Sequence, residues 1–436
     1  MLVNLFKSFW RPRFVRIFLS FYLIGLFFFC LLSLYCSFAG SKGGLLCELS
    51  KSAPGEDIVK AGDFPVFYAA GSLSIHDSGH LYDVLFQEYL QNYYWRSENF
   101  KKHSPYPSPG QLSDSAYDLS MSYGGDEDTG FHIFAYPPWA AVFFIPFALF
   151  SPLVAKVLFV LLSLLFSYLS ANFIRSYVAF PISPFVCFSL LLFIPTYVSG
   201  VLGGQNNAVS LFLLLAILSS VKNRKYYISG AFTALWNFKP QYSFLAILML
   251  LYFERERIKI LSAYLFVTLI QLGFSIWYYG VDIFISWINM MRTLGELNQS
   301  SHDNLSRMIS IPSLGQYLYV HCGLWGLSIL VLLVLMLIFR PIFQVQKHGS
   351  FDLSIIGLLI VFFSPQTGHY DLVLAVPFLV TFLRDTSLSP FFWKVLGFVF
   401  LIAASLFVQF TSGVPVLTMV LFLTGAVVLS AVKERA

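Results

Sequence analysis

A succession of apolar runs, most of them about twenty residues long, is the feature that most constrains this 436-residue chain. They lie at 15–38, 132–150, 153–174, 183–201, 206–221, 227–253, 258–279, 313–339, 351–383, 391–410 and 414–432. Roughly 20 apolar residues in an α-helix cross a hydrocarbon layer of about 30 Å. A soluble protein carries about a quarter charged residues. Here 11% are charged and 57% hydrophobic, and the mean hydropathy is +0.73. So little polar surface cannot cover a core in water. The chain is expected to be all-α, a single polytopic membrane domain over 1–436 with about 10–12 membrane helices, some short or broken. Its 48 Phe and 24 Tyr suit lipid-facing and interfacial positions.

Charge sets the expected orientation. Lys7, Arg11, Arg13 and Arg16 flank the first run, which is too long for a signal-peptide core and is read as a retained helix, 15–38. By the positive-inside rule its start is cytoplasmic. From Lys42 to Asp128 there are 13 acidic residues against 6 Lys and Arg, whereas the rest of the chain has 9 against 21. This places 39–130 outside as an extracytoplasmic loop and 131–432 as the membrane bundle. The basic connections at 222–225 and 254–259, with Arg340, Lys347, Arg384 and the final KER, then lie inside, as do both termini. A bacterial inner membrane is the expected location. Within the loop, AGDFPVFYAAGSLSI and LYDVLFQEYLQNYYW are expected as short surface helices. HSPYPSPGQLSDS and SYGGDEDTG should be irregular. Cys30, Cys36, Cys47, Cys187 and Cys322 show neither metal nor disulfide spacing and fit small buried side chains.

Polar interruptions divide several runs. GGQNN (Gly203–Asn207) parts 183–201 from 206–221, NFKPQ (Asn237–Gln241) interrupts 227–253, and SPQTGHYD (Ser364–Asp371) interrupts 351–383. The last two runs are expected as pairs of shorter helices that turn back at the break. Four apolar pieces in 131–221 must make an odd number of crossings, so one of them should not span. Backbone freed at membrane depth is tolerated where it meets protein or lines a wet cavity, and the breaks therefore point to an internal polar site.

Four groups of residues could carry chemistry. Asp63, in GDFPVFYAAG, could act as a general base for a hydroxyl acceptor, or be a solvated loop carboxylate or a helix N-cap; Asp57 is a weaker competitor. AYPPWAAVFFIPFALFSP carries Tyr136 and Trp139, natural interface anchors, and Pro137 and Pro138, which suit a helix start. The interruptions supply Gln205, Asn206, Asn207, Lys239, Gln241, His369, Tyr370 and Asp371. Lys239 in apolar surroundings could bind a phosphate as a point charge, or snorkel to the interface. His369 could donate to a phosphate oxygen, carry a proton or be structural. Finally, Arg292 and Arg307 in 291–308 could clamp an anionic head group, or be solvated. Asp126–Asp128 resembles a nucleotide-sugar motif but lies on the wrong side for cytosolic nucleotides. His76 and His80 have metal-ligand spacing only if helical, which Ser78 and Gly79 disfavour. No metal site, phosphate-binding glycine loop or nucleic-acid module is discerned.

In order along the chain, DFPVFYAAGSL…GHLYD, AYPPWAAVFFIPFALFSP, GGQNNAVSLFLLLAIL, NFKPQYSFLAILMLLYFERER and SPQTGHYDLVLAVPFL resemble the bacterial glycosyltransferase 87 family over Gly62–Phe378. The resemblance implies a polytopic enzyme of the C-type (GT-C) fold. Such an enzyme takes a hexose, often mannose, from a polyprenyl-phosphate sugar on the outer side of the membrane, with no cofactor. It implies Asp63 as the base and His369 near the donor phosphate. It assigns Lys239 and Gln241 to a KPQ motif, and Gln205 with Asn206 or Asn207 to a GQ-N motif. SPQTGHY is shorter than the matching stretch of some actinobacterial mannosyltransferases and lacks its Trp, which leaves the donor sugar and the role of His369 open.

On this picture the base removes the acceptor proton while the sugar C1–O bond breaks, in a direct inverting displacement. The partners are membrane lipid, the polyprenyl-phosphate sugar and a lipid or glycan acceptor; no nucleic acid is involved. A polytopic transporter or flippase is the alternative, because broken helices near the midplane suit it too. No inverted repeat supports that alternative, and a membrane-anchored assembly protein would leave Lys239 and the breaks without purpose.

Overall fold

The computed structural model describes residues 63–84, 86, 87, 90, 91, 133–176, 183–192, 194–300, 353, 355–364, 369–377 and 380. The first apolar run, Asp57, the acidic triplet at 126–128, Arg307, and the runs at 313–339, 391–410 and 414–432 lie outside these residues. The chain divides into two compact units, Met1–Ala61 and Gly62–Ala436, and all described residues belong to the second.

Among the described residues all regular structure is helical. The α-helices are α1 (Phe64–His76), α2 (Pro138–Ala148), α3 (Pro152–Arg175), α4 (Pro184–Leu191), α5 (Pro195–Leu202), α6 (Asn207–Lys222), α7 (Tyr226–Leu235), α8 (Pro240–Phe253), α9 (Arg257–Tyr279), α10 (Asp282–Ser300) and α11 (Ile355–Phe363). Short 3₁₀ segments occupy Ser78–His80, Trp236–Phe238 and His369–Ala375. Proline stands in the first turn of α1, α2, α3, α4, α5 and α8. There its missing N–H costs nothing and its fixed φ starts the helix.

α3 and α9 are each long and apolar enough to cross a membrane. Only 11% of the apolar window of α9 is buried by protein, and Phe266, Leu269 and Trp277 stand exposed along it. An apolar helix with such a bare surface is at home in lipid. By contrast, α6 is buried nearly all round, the mark of a helix at the centre of a bundle. It packs against α3 on one side and α7 on another, and against the segment 369–375.

The breaks fall where the polar interruptions put them. GGQNN separates α5 from α6, and NFKPQ separates α7 from α8 through the 3₁₀ turn at Trp236–Phe238. Across that turn Ser243 Oγ donates to the Thr233 carbonyl, folding the two helices against each other. The Asn237 side chain is held to α9 by bonds to Thr268 and Gln271, and Tyr264 donates to its Oδ1. Beyond Ser364 the chain likewise returns on α11. Gly357 lies so close to the Leu374 carbonyl that a Cβ there would approach it to 2.0 Å.

Other expectations need correction. α1 is not a surface helix, since Phe64 through Ser74 are all buried. Gly71 admits α2, since a Cβ there would approach the Phe144 carbonyl to 2.5 Å, and Ser74 is buried at low cost by donating to the Ala70 carbonyl. Phe67 stacks on Phe144 of α2 at 4.5 Å, beside Phe159 of α3. The described part of the second expected surface helix is also packed inward: Leu81, Tyr82, Phe86, Gln87, Leu90 and Gln91 are buried. Gln87 bonds both the Leu81 carbonyl and the Phe134 N–H. The run 132–150 yields only the 11 residues of α2, and 183–201 splits into two helices of 8 residues each. That split has a local cause. Pro195 excludes the helical conformation from Ile194, which sits at ψ 108°.

Candidate active site

Asp63 occupies the N-cap position of α1, yet its carboxylate makes no capping bond. Instead Oδ2 accepts a hydrogen bond from Gln205 Nε2. The contact exists because the GGQNN turn is pressed against the start of α1. Phe64 N–H donates to the Gly203 carbonyl at 3.3 Å. Gly204 takes a φ of +77°, and a Cβ there would come within 2.4 Å of Phe64 Cβ. Only glycine satisfies both the left-handed turn and this approach. The turn thus delivers Gln205 and Asn206, both buried, to the carboxylate's side of α1.

Tyr136 joins them from the segment leading into α2. Its phenol is hydrogen-bonded to the Asn206 side chain and lies within electrostatic reach of both Asp63 and Asp371. Its backbone is fixed by Tyr82, whose hydroxyl donates to the Tyr136 carbonyl at 2.6 Å. Burial holds the Tyr82 phenol well above its ordinary pKa, with Tyr279 adding to the effect, so it remains a donor. Trp287 Nε1 secures the preceding carbonyl, Ala135, at 3.1 Å. Tyr136 is therefore part of the site rather than only an interface anchor, the role its sequence context suggested.

Asp371 anchors a second group. Lys239 Nζ contacts its two carboxylate oxygens at 3.0 and 3.1 Å, and Tyr242 Oη donates to Oδ2 at 2.7 Å. Lys239 also lies 4.8 Å from the Tyr242 ring centroid. All three residues are buried. Lys239, expected as a point charge for phosphate, has its charge matched by a carboxylate, and neither it nor Asp371 snorkels. The pair locks the NFKPQ turn to the SPQTGHYD break. Asp371 was quoted from the sequence but given no role; the need of a buried lysine for a counter-charge was the signal that could have assigned it.

The remaining candidates separate. Asn207 is committed to structure, since Nδ2 donates to the Tyr197 carbonyl and Oδ1 accepts from Ala208 N–H. Gln241 is half-buried in the first turn of α8. His369 and Tyr370 open the 3₁₀ segment that carries Asp371. Arg292 is exposed on α10. His80 pairs with Asp77 at 2.9 Å and stacks on Phe86.

The arrangement gives the two carboxylates different capacities. Asp371 is engaged through both oxygens by an ammonium and a phenol, which ties up the electron pairs a base would use. Asp63 receives a neutral amide from Gln205 and stands beside a phenol and a second amide, a polar pocket in an apolar bundle.

A family model described as glycosyltransferase family 87 matches residues 134–365, more than half of the chain. The matched region contains Tyr136, Gln205, Asn206 and Lys239, while Asp63 and Asp371 flank it. No curated protein and no solved structure matches.

Proposed function

The chain belongs to glycosyltransferase family 87, and from that premise we propose that it transfers a hexose, mannose in the first instance, from a polyprenyl-phosphate sugar to a hydroxyl of a lipid or glycan. Asp63 is the general base in this reading. The observation that supports it is the bond from Gln205 to Asp63, beside a Tyr136 phenol that bonds Asn206 and feels the charges of both Asp63 and Asp371. In this reading the loop carboxylate and the far break belong to one site, although 308 positions of sequence separate them.

The chemistry follows from that pairing. The acceptor hydroxyl gives its proton to the Asp63 carboxylate as its oxygen attacks the anomeric carbon. The anomeric C–O bond to phosphate breaks, and polyprenyl phosphate leaves with the bonding electrons. Attack opposite to the leaving group inverts the anomeric configuration, and no bond to the protein forms. A phosphate leaves readily without a proton, so the reaction asks for one base and no general acid. The acceptor end is built by Asp63, Gln205, Asn206 and Tyr136. The donor end is assigned to His369 and Tyr370, which precede Asp371 in the sequence, and the polyprenyl tail to the apolar surface around the bundle. Lys239 and Gln241 act here by holding the break in place, and Arg292 and Arg307 meet lipid head groups. The bundle has the GT-C topology in this reading, in a bacterial inner membrane with the site facing outward.

The test is transfer by the purified full-length protein in lipid nanodiscs from a radiolabelled polyprenyl-phosphate mannose. Asp63→Asn should lower the rate by about 10²–10⁴-fold, the usual worth of a general base. Undiminished transfer would remove Asp63 from the mechanism. Translocation of the lipid without transfer to any acceptor would replace the reading with a flippase.

A further inference from the structure

Gln205 and Asn206 each carry a buried carbonyl oxygen with no hydrogen-bond partner among the described residues, Gln205 Oε1 and Asn206 Oδ1. The two residues are only 5% and 4% exposed. Buried amide oxygens are satisfied in the great majority of cases, because leaving one unmade forfeits its desolvation cost. Among the described residues neither oxygen meets a donor. Gln205 must aim its NH₂ at the Asp63 carboxylate, since the opposite orientation would set carbonyl against carboxylate. The Asn206 side chain also bonds the Tyr136 phenol, and it does not cap α6.

Two orphan acceptors beside a carboxylate define what chemistry this turn can recognise. A phosphate diester offers only acceptor oxygens and negative charge, so it is repelled by all three groups. A hydroxyl donates, and a sugar or cyclitol presents several hydroxyls at neighbouring carbons. We infer that Gln205 Oε1 and Asn206 Oδ1 form a hydroxyl-reading subsite. They accept hydrogen bonds from hydroxyls of a polyol next to Asp63 and keep phosphate away from this turn. The polyol's hydroxyls come either from the acceptor or from the sugar ring of the donor, and both share this chemistry. The inference rests on the proposed transferase reading for the identity of the polyol, but the recognition itself is a binding property.

Binding therefore tests it, with the wild-type full-length protein in nanodiscs and saturation-transfer NMR. The probes are methyl α-mannopyranoside and myo-inositol, each with its monodeoxyfluoro analogues. Fluorine keeps the size of a hydroxyl and removes its donor. At least one polyol should bind, lose about tenfold or more in affinity when fluorine replaces one or two particular hydroxyls, and resist displacement by inorganic phosphate. In Asn206→Leu this discrimination should shrink at one position, while Asn206→Asp, which retains an acceptor oxygen, should keep it. Loss of discrimination when polyprenyl-phosphate mannose is added assigns the subsite to the donor sugar; simultaneous binding assigns it to the acceptor. Failure of both polyols to bind, equal binding of every fluoro analogue, or displacement by phosphate overturns the inference. Selective binding without any transfer would sink the transferase reading alone, and transfer without selectivity would sink this inference alone.

Discussion

The Gln205 side chain donates a hydrogen bond to the Asp63 carboxylate across 142 positions of sequence. It ties the turn before the central helix to the first residue of the described fold. The bond defines how the carboxylate is presented. If Gln205 orients the base, Gln205→Ala should lower kcat by about 10–100-fold, a fraction of what removing the base costs. The double variant with Asp63→Asn should be no slower than Asp63→Asn alone, because residues acting as one unit are not additive. Initial rates of the two single variants and the double variant check this. Additive losses would show that Gln205 acts elsewhere.

Breaking the Lys239–Asp371 pair should destabilise the protein more than removing it. Lys239→Met leaves a buried carboxylate without its ammonium, a loss of about 3–5 kcal/mol. Lys239→Met combined with Asp371→Leu should recover much of that. Thermal unfolding in mild detergent gives the comparison, read as a double-mutant cycle. A double variant less stable than either single would contradict the pairing.

Gly204→Ala strains a backbone at φ +77° and drives a Cβ into Phe64. The strained backbone alone should cost about 1–3 kcal/mol. Because the same turn carries Gln205, transfer should fall together with stability. Gly273, on the lipid-exposed flank of α9, has nothing within 4 Å of an added Cβ. Gly273→Ala should be neutral or stabilise by up to about 1 kcal/mol, with activity unchanged. Unfolding midpoints and rates of the two variants distinguish a constrained glycine from an incidental one.

The bare flank of α9 should face acyl chains. Nitroxide labels on cysteines replacing Phe266 or Leu269 should show strong collision with dissolved oxygen, and a label at buried Ile260 should not. Leu269→Arg should cut the yield of inserted protein, since a central arginine costs about 2.5–3.5 kcal/mol on insertion. Power-saturation measurements in bilayers decide the first point, and membrane fractionation the second.

The breaks were legible in the sequence because Gly, Asn, Lys and Pro inside apolar runs have few reasons to be there. GGQNN and NFKPQ each end and restart a helix. What could not be read was which apolar surface meets lipid and which meets protein. Both solvents accept the same side chains, so the spacing in FPVFYAAGSLS suits a surface helix as well as the buried α1. Tyr136 was equally ambiguous: an aromatic after Ala and before two prolines looks like an interfacial anchor until Asp63 and Asn206 are found beside it. The split of 183–201 was signalled by Pro195 alone. Asp63 could be singled out among the loop acids, but its partner Gln205 lies too far along the chain for local spacing to join them.

The ion pair between Lys239 and Asp371 also has a consequence in time. Its two halves are 132 positions apart, and a ribosome adding about 5–20 residues per second takes on the order of ten seconds to cover that distance. Throughout this interval the ammonium has no carboxylate to neutralise it. The paired, buried arrangement of the NFKPQ turn can therefore be completed only after Asp371 has been made. The last of the polar breaks thus supplies the partner that closes this buried pair.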